Sequence, residues 1–237
     1  MLGGLKKGIE HMSKKKNSIG PIRITVMLIG SICAISGLEH GFFECLQGNT
    51  EPQIHLVSGK PMIYAIGDSI RFWKYGFEYA YTVIPNFFIT GMTTMTISLA
   101  ALIVALKFIG TRFGWAAFIV LSILQYLTGG GAAQVSLAVI VGMLGALDGK
   151  ALTFVRKLLP RKAIAILAKI WPVVLTLFCA TFIHSFITAI FGFLYWVSDD
   201  NIKLSVQFGM LYAMMIILPF LLVSVLTREY LSKEITI

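Results

Sequence analysis

Apolar residues are gathered into long blocks along this chain, and short polar stretches separate the blocks. A block of about 20 apolar residues is long enough to cross a hydrocarbon core of about 30 Å as an α-helix. One block, Trp115 to Leu147, is too long for a single crossing, because about 33 residues would form a helix of roughly 50 Å. The pattern therefore predicts several membrane-spanning helices and one block that must break.

Three consecutive glycines, Gly129, Gly130 and Gly131, lie near the centre of that long block. Glycine loses the most backbone entropy in a helix and accepts positive φ, so this triplet favours a turn. The block then forms a hairpin of two short helices, which are either two short spans or a re-entrant pair. Six spans are predicted in all, at about 22–43, 80–107, 113–128, 132–147, 170–197 and 204–226.

The predicted fold class is all-α, a polytopic integral membrane helix bundle in which the third and fourth of about six transmembrane helices form the glycine-turn hairpin. The connecting segment 148–169 is amphipathic, and Asp148 is expected to cap a short helix that Pro160 interrupts. The predicted divisions are a basic segment 1–21, one transmembrane domain 22–227 with an outer loop 44–79 and the cytoplasmic segment 148–169, and a tail 228–237.

Composition and charge place the chain in a membrane and orient it. Hydrophobic residues make up 57% and charged residues 13%, with a mean hydropathy of +0.83, which is too apolar for a water-soluble fold. Sixteen of the 20 Lys and Arg residues fall on one side of the predicted topology. That side is expected to be cytoplasmic, with both termini on it. The chain is therefore expected to be a multi-pass protein of the cell membrane. Its net charge of +9 is explained by Lys and Arg residues that face anionic lipid, so no nucleic-acid partner is expected.

An ionisable cluster, Glu39, His40 and Glu44, stands at the outer end of the first span. Helical spacing places His40 and Glu44 one turn apart on the same face. That pair could bind a divalent metal or carry a proton, although a metal site needs a third ligand, for which His55 of the outer loop is the reachable choice. The alternative is a polar cluster that hydrogen-bonds the outer loop.

A second set of polar residues recurs on faces of the second span and of the hairpin, where they could line a route through the bundle. The candidates for this route are Asn86, Thr90, Thr93, Thr94, Gln125, Gln134 and His184. Tight helix packing is the alternative for the polar faces. For His184 the alternative is a simple hydrogen bond to Thr181 or Thr188 on an adjacent turn.

Enzyme signatures are missing from the sequence, which contains no G-x-S-x-G, H-E-x-x-H or P-loop motif. A non-enzyme is therefore favoured, and no cofactor is predicted apart from the possible divalent metal. The favoured function is a small-molecule permease or the membrane subunit of a transporter. The alternatives are an intramembrane metal-binding protein or enzyme using Glu39, His40 and Glu44, and a non-catalytic interaction or immunity-type protein.

Basic residues in and after the amphipathic segment could contact anionic lipid or dock a cytoplasmic partner, such as an ATPase or another membrane subunit. The docking candidates are Arg156, Lys157, Arg161 and Lys162.

Overall fold

The chain folds into helices that run back and forth along one another. The computed structural model describes residues 19–52, 54–57, 60–63, 80–150, 152–192 and 197–234, with the backbone alone described at 54–57 and 60–63. Within these ranges the helices are α1 (Pro21–Leu46), α2 (Phe87–Ile103, continued by a π-helical turn Val104–Phe108), α3 (Gly114–Leu127), α4 (Ala132–Gly145), α5 (Phe154–Leu158), α6 (Arg161–Phe191) and α7 (Asp200–Glu234).

Four of these helices are long and apolar enough to cross a membrane. They are α1 with 26 residues, α2 with its π turn at 22, α6 with 31 and α7 with 35. The two shorter apolar helices, α3 and α4, have 14 residues each. The all-α fold class is therefore confirmed at the level of four long apolar helices and two shorter ones.

The glycine triplet breaks the long apolar block, as predicted, but it forms a strand in place of a simple turn. Strand β4 (Thr128–Gly131) joins α3 to α4 and pairs antiparallel with β3 (Ala80–Thr82). A second antiparallel pair, β1 (Ile54–Val57) with β2 (Lys60–Ile63), lies in the predicted outer loop. The β4 backbone therefore finds hydrogen-bond partners on a neighbouring strand where helical bonding stops.

Several helix limits differ from the predicted span limits, and two of the differences concern helix starts. Helix α2 begins at Phe87 in place of residue 80, because β3 occupies the start of the block and Asn86 caps the helix by accepting a hydrogen bond from the Ile89 amide at 2.9 Å. Helix α6 begins at Arg161, and Pro160 is its N-cap residue with extended backbone, where the missing amide proton costs no helical hydrogen bond. Much of the predicted cytoplasmic segment is therefore the first part of α6.

Asp148 is not a helix cap in the structure, and the amphipathic helix between it and Pro160 shrinks to the five residues of α5. The Asp148 carboxylate instead accepts a hydrogen bond from Arg23 Nε at 2.9 Å and lies 2.8 Å from Nη2 of the same side chain. Both nitrogens contact the same carboxylate oxygen, Oδ2, and such charge-assisted hydrogen bonds are stronger than hydrogen bonds between neutral groups. This ion pair ties the end of the hairpin to the start of α1.

Helix α1 is central to the packing. Its buried face follows helical spacing through Ile22, Val26, Ile29 and Cys33, and it packs along α2 and α4. Helices α6 and α7 pack mainly on each other and meet α1 near its N-terminus, where Trp171 Nε1 donates to Thr25 Oγ1 at 3.0 Å. The chain thus forms a bundle of α1 to α4 with an α6–α7 hairpin attached at one end.

The contact between α1 and α2 requires glycine at Gly41. A Cβ there would lie 2.6 Å from the carbonyl oxygen of Gly91 and 2.7 Å from Met95 Cγ. We predict that Gly41→Ala lowers the free energy of unfolding by about 1–3 kcal/mol, because the clash is with backbone that cannot rotate away. The measurement is thermal unfolding of the purified protein in mild detergent.

Gly209→Ala in α7 is the matched control, since a Cβ at Gly209 meets no atom within 4 Å. Alanine is favoured over glycine in a helix by about 1 kcal/mol, so this variant is expected to be neutral or slightly stabilised. Equal melting temperatures for the two variants would contradict the close approach of α1 and α2.

Candidate functional site

A completely buried carboxylate, that of Glu44, lies in the last turn of α1 at 0% exposure. It packs against the strand between the two short helices, in the space that a side chain on Gly129 would occupy. Gly129 has φ of +114°, so glycine is required at this position by conformation as well as by space. Among the described residues neither oxygen of Glu44 has a hydrogen-bond partner other than the adjacent Thr94 hydroxyl.

Four threonines from three elements surround this part of the site, and we call Thr82, Thr90, Thr94 and Thr128 the threonine cluster. The Thr90 hydroxyl donates to the Thr128 carbonyl oxygen at 2.7 Å, and the Thr94 hydroxyl donates to the same oxygen. Thr82 and Thr90 share a hydrogen bond between their hydroxyls. Thr94 also lies beside the Glu44 carboxylate, so the cluster and the carboxylate form one site, the Glu44 site.

Amide side chains continue the polar interior toward the middle of the α1 to α4 bundle. Gln125 Nε2 donates to Ser98 Oγ at 3.0 Å, and Ser36 donates to Gln134 Oε1. All four side chains are buried. Gly37 leaves the room that Gln125 needs, since a Cβ at Gly37 would lie 2.6 Å from the Gln125 amide carbon. These residues form a polar layer between α1, α2, α3 and α4.

The structure brings together four of the seven route candidates. Thr90 and Thr94 lie in the threonine cluster, and Gln125 and Gln134 lie in the polar layer. The other three candidates lie apart from these groups, because Asn86 caps α2, Thr93 donates to the carbonyl of Ile89 on its own helix, and His184 of α6 bonds Thr188 at 3.1 Å. The simple hydrogen-bond alternative for His184 thus matches the structure.

The pattern of the sequence did not single out Thr82, Thr128 or Ser36. Thr82 and Thr128 enter the site through the pairing of β3 with β4, and Ser36 enters through its bond to Gln134. The sequence does contain a signal for Thr128, because this residue directly precedes the glycine triplet at the point where helical bonding stops. The sequence contains no such signal for Thr82, since it lies 46 positions from Thr128.

The predicted metal cluster is only partly assembled. His40 and Glu44 are both completely buried, one turn apart, and the carboxylate oxygens of Glu39 are buried too. The described part of the chain has no group of three His, Cys, Asp or Glu side chains that could bind a metal ion. The side chain of His55 lies outside the described residues. Divalent metal binding at Glu39, His40 and Glu44 therefore remains a prediction.

The opposite end of α1 carries a charged region. An open cavity of about 280 Å³ lies there, lined in part by Arg112, Trp115, Asp148 and Lys150. The docking candidates at this end are exposed, and one of them forms an ion pair with the C-terminal part of α7, Arg161 to Glu234 at 3.6 Å. The four candidates are Arg156, Lys157, Arg161 and Lys162.

No protein-family model matches the chain, and no curated protein and no solved structure matches it either. The function therefore has to be argued from the Glu44 site and its surroundings.

The Glu44 site predicts a specific response to substitution at Gly129. We expect Gly129→Ala to lower the melting temperature of the purified protein, because the left-handed φ costs about 1–3 kcal/mol and the new Cβ displaces the Glu44 carboxylate. Gly149→Ala is the matched control, with φ of +75° and no atom within 4 Å of its Cβ. A loss of stability no greater than in the control would contradict the contact between Gly129 and Glu44.

Proposed function

We propose that this protein is an integral membrane transport protein, either a small-molecule permease or the membrane subunit of a transporter. In this proposal the Glu44 site and the polar layer lie on the transport route. The main support is the completely buried Glu44 carboxylate, which has no hydrogen-bond partner among the described residues other than the adjacent Thr94 hydroxyl and lies against extended backbone between two short helices. Ionisable groups inside membrane bundles are costly and mark ion or substrate pathways.

The interrupted hairpin supports the same proposal. Non-helical backbone within a membrane is tolerated where it is buried in protein or lines a cavity, and transporters use broken helices to bind substrates and coupling ions. Here the break between α3 and α4 contacts α2 through the hydroxyls of Thr90 and Thr94. The polar layer of Gln125, Ser98, Gln134 and Ser36 extends this polar region into the bundle.

We further propose that both arms of the hairpin cross the bilayer, which makes six spans. The hairpin begins and ends beside the start of α1, where Asp148 pairs with Arg23, and its strand reaches Glu44 near the other end. The two α1 positions are about 21 residues apart, or about 32 Å along a helix, which matches a hydrocarbon core of about 30 Å. The basic end is placed in the cytoplasm together with both termini.

This topology is tested by cysteine labelling in intact cells, with Cys33, Cys45 and Cys179 replaced. We expect Ser198→Cys, at an exposed position two residues before α7, to react with a membrane-impermeant maleimide. Lys157→Cys, exposed at the opposite end, is expected to react only after permeabilisation. The reverse pattern would contradict the orientation, and labelling of both in intact cells would contradict the crossing by α6.

The exposed basic residues support the second form of the proposal, in which this protein is the membrane subunit of a transporter. Arg156, Lys157, Arg161 and Lys162 lie at the end assigned to the cytoplasm, where each can contact anionic lipid or a soluble subunit such as an ATPase. We place the docking surface for such a subunit on these four residues. The bilayer itself is the partner of the exposed apolar faces of α6 and α7, which include Val173, Met215 and Phe220.

Transport is tested with the full chain in proteoliposomes, using a panel of radiolabelled amino acids, sugars, carboxylates and inorganic ions. We expect at least one solute to accumulate above the level in protein-free liposomes, and Glu44→Gln to reduce that uptake at least tenfold, because the substitution removes the only charge of the Glu44 site. Glu229→Gln is the control, since Glu229 is an equally buried carboxylate at the other end of the bundle. Uptake at the protein-free level for the whole panel would contradict a self-sufficient permease.

A further inference from the structure

We propose that the Glu44 site binds a small monovalent cation, for which sodium is the test ion. The coupling role of this ion rests on the proposed transport function, whereas its binding does not. The divalent metal site suggested by the sequence at Glu39, His40 and Glu44 is a separate prediction, and the present proposal uses a different set of ligands. These are the Glu44 carboxylate and the oxygens of Thr90, Thr94 and Thr128.

The ligand atoms are all oxygens. The Thr128 carbonyl oxygen accepts from two hydroxyls, and Thr94 Oγ1 lies 3.1 Å from Thr128 Oγ1 and beside the Glu44 carboxylate. Carboxylate, hydroxyl and carbonyl oxygens are ligands for hard cations, in contrast to the imidazole and thiolate ligands that zinc and copper prefer. The chemistry of the site therefore selects a hard cation.

The direction of the hydroxyl protons explains why Glu44 attracts a cation. The Thr90 and Thr94 protons go to the Thr128 carbonyl, and Thr128 Oγ1 donates to the Leu124 carbonyl at 3.0 Å. A hydroxyl has one proton to donate. The Thr90 and Thr128 hydroxyls therefore present lone pairs, and Thr94 is the one hydroxyl of the three that shares its proton between the Thr128 carbonyl and the Glu44 carboxylate. A cation between them would satisfy the carboxylate and the lone pairs together.

Charge favours a monovalent ion. The site contributes one carboxylate and four neutral threonines, so its formal charge with Glu44 ionised is −1. A single positive charge neutralises it, whereas protein sites for calcium ordinarily use several carboxylates. Burial makes this balance important, because an uncompensated charge is costly away from water.

Two helix ends add to the negative potential at this point. Glu44 lies in the last turn of α1, and Thr128 is the C-cap residue of α3. The C-terminus of a helix carries a partial negative charge from its unsatisfied carbonyls, and the C-terminal ends of interrupted helices bind sodium in transporters. The ion site thus lies where the C-termini of α1 and α3 meet.

Thermal unfolding of the purified full chain, without added solute, tests the ion site. Sodium chloride is titrated against choline chloride at constant ionic strength. We expect sodium to raise the melting temperature saturably, by about 5 °C at full occupancy, because a ligand that binds only the folded state stabilises it. Glu44→Gln should abolish this shift, and Thr94→Val should weaken the apparent sodium affinity at least tenfold.

Two control variants separate the site from general effects of substitution. Thr96→Val removes a neighbouring hydroxyl on α2 that bonds the Met92 carbonyl of its own helix at 2.8 Å. Glu229→Gln removes a buried carboxylate that lies 3.3 Å from the Ile22 amide nitrogen and 3.6 Å from Lys233 Nζ. Both variants should keep the full sodium-dependent shift, even where Glu229→Gln lowers the starting melting temperature.

An equal shift in choline chloride would overturn the proposal, as would an unchanged sodium shift in Glu44→Gln. Stabilisation by protons alone, with no response to sodium, would overturn the choice of ion. The liposome experiment keeps the two proposals apart. Sodium binding without uptake of any solute would contradict a self-sufficient permease and leave the ion site standing. Uptake of a solute without sodium binding would overturn the ion site and leave the transport function standing.

Discussion

Extended backbone in an apolar interior must have its hydrogen bonds satisfied, and this constraint organises the α1 to α4 bundle. The segment Thr128–Gly131 interrupts helical bonding between α3 and α4. Strand β3 pairs with it, and the hydroxyls of Thr90 and Thr94 satisfy the Thr128 carbonyl. The threonine cluster therefore has a structural role, because it satisfies the backbone of this segment. Glu44 has no such role, because its carboxylate satisfies none of these backbone groups in the described part of the chain.

Helix α1 links the two ends of this arrangement. At one end Arg23 pairs with Asp148, and the Ile22 amide lies 3.3 Å from a Glu229 oxygen, so the hairpin and α7 both contact the first turn of α1. Acidic groups near a helix N-terminus also interact favourably with its dipole. At the other end Glu44 contacts the strand of the hairpin. One helix thus positions a structural charged region and a candidate ion site at opposite ends.

The candidate residues show how far helical periodicity alone can predict a site. Thr90 and Thr94 are one turn apart on α2 and share one acceptor, as their spacing allows. Thr93, on another side of the same helix, bonds its own backbone. Periodicity identifies a polar face, but it cannot say which distant segment lies opposite that face. The contribution of Thr82 depends on a strand pairing that the apolar pattern did not reveal.

The apolar helices and the break at Gly129, Gly130 and Gly131 could be predicted from residue order, because hydrophobic periodicity and glycine conformation are local properties. Local spacing also placed His40 and Glu44 on one face of α1. The position of Glu44 against Gly129 beside the threonines, and the pairing of Asp148 with Arg23 in place of a helix cap, could not be predicted in this way. Those contacts join residues far apart in sequence, and they form only when the hairpin packs along α1.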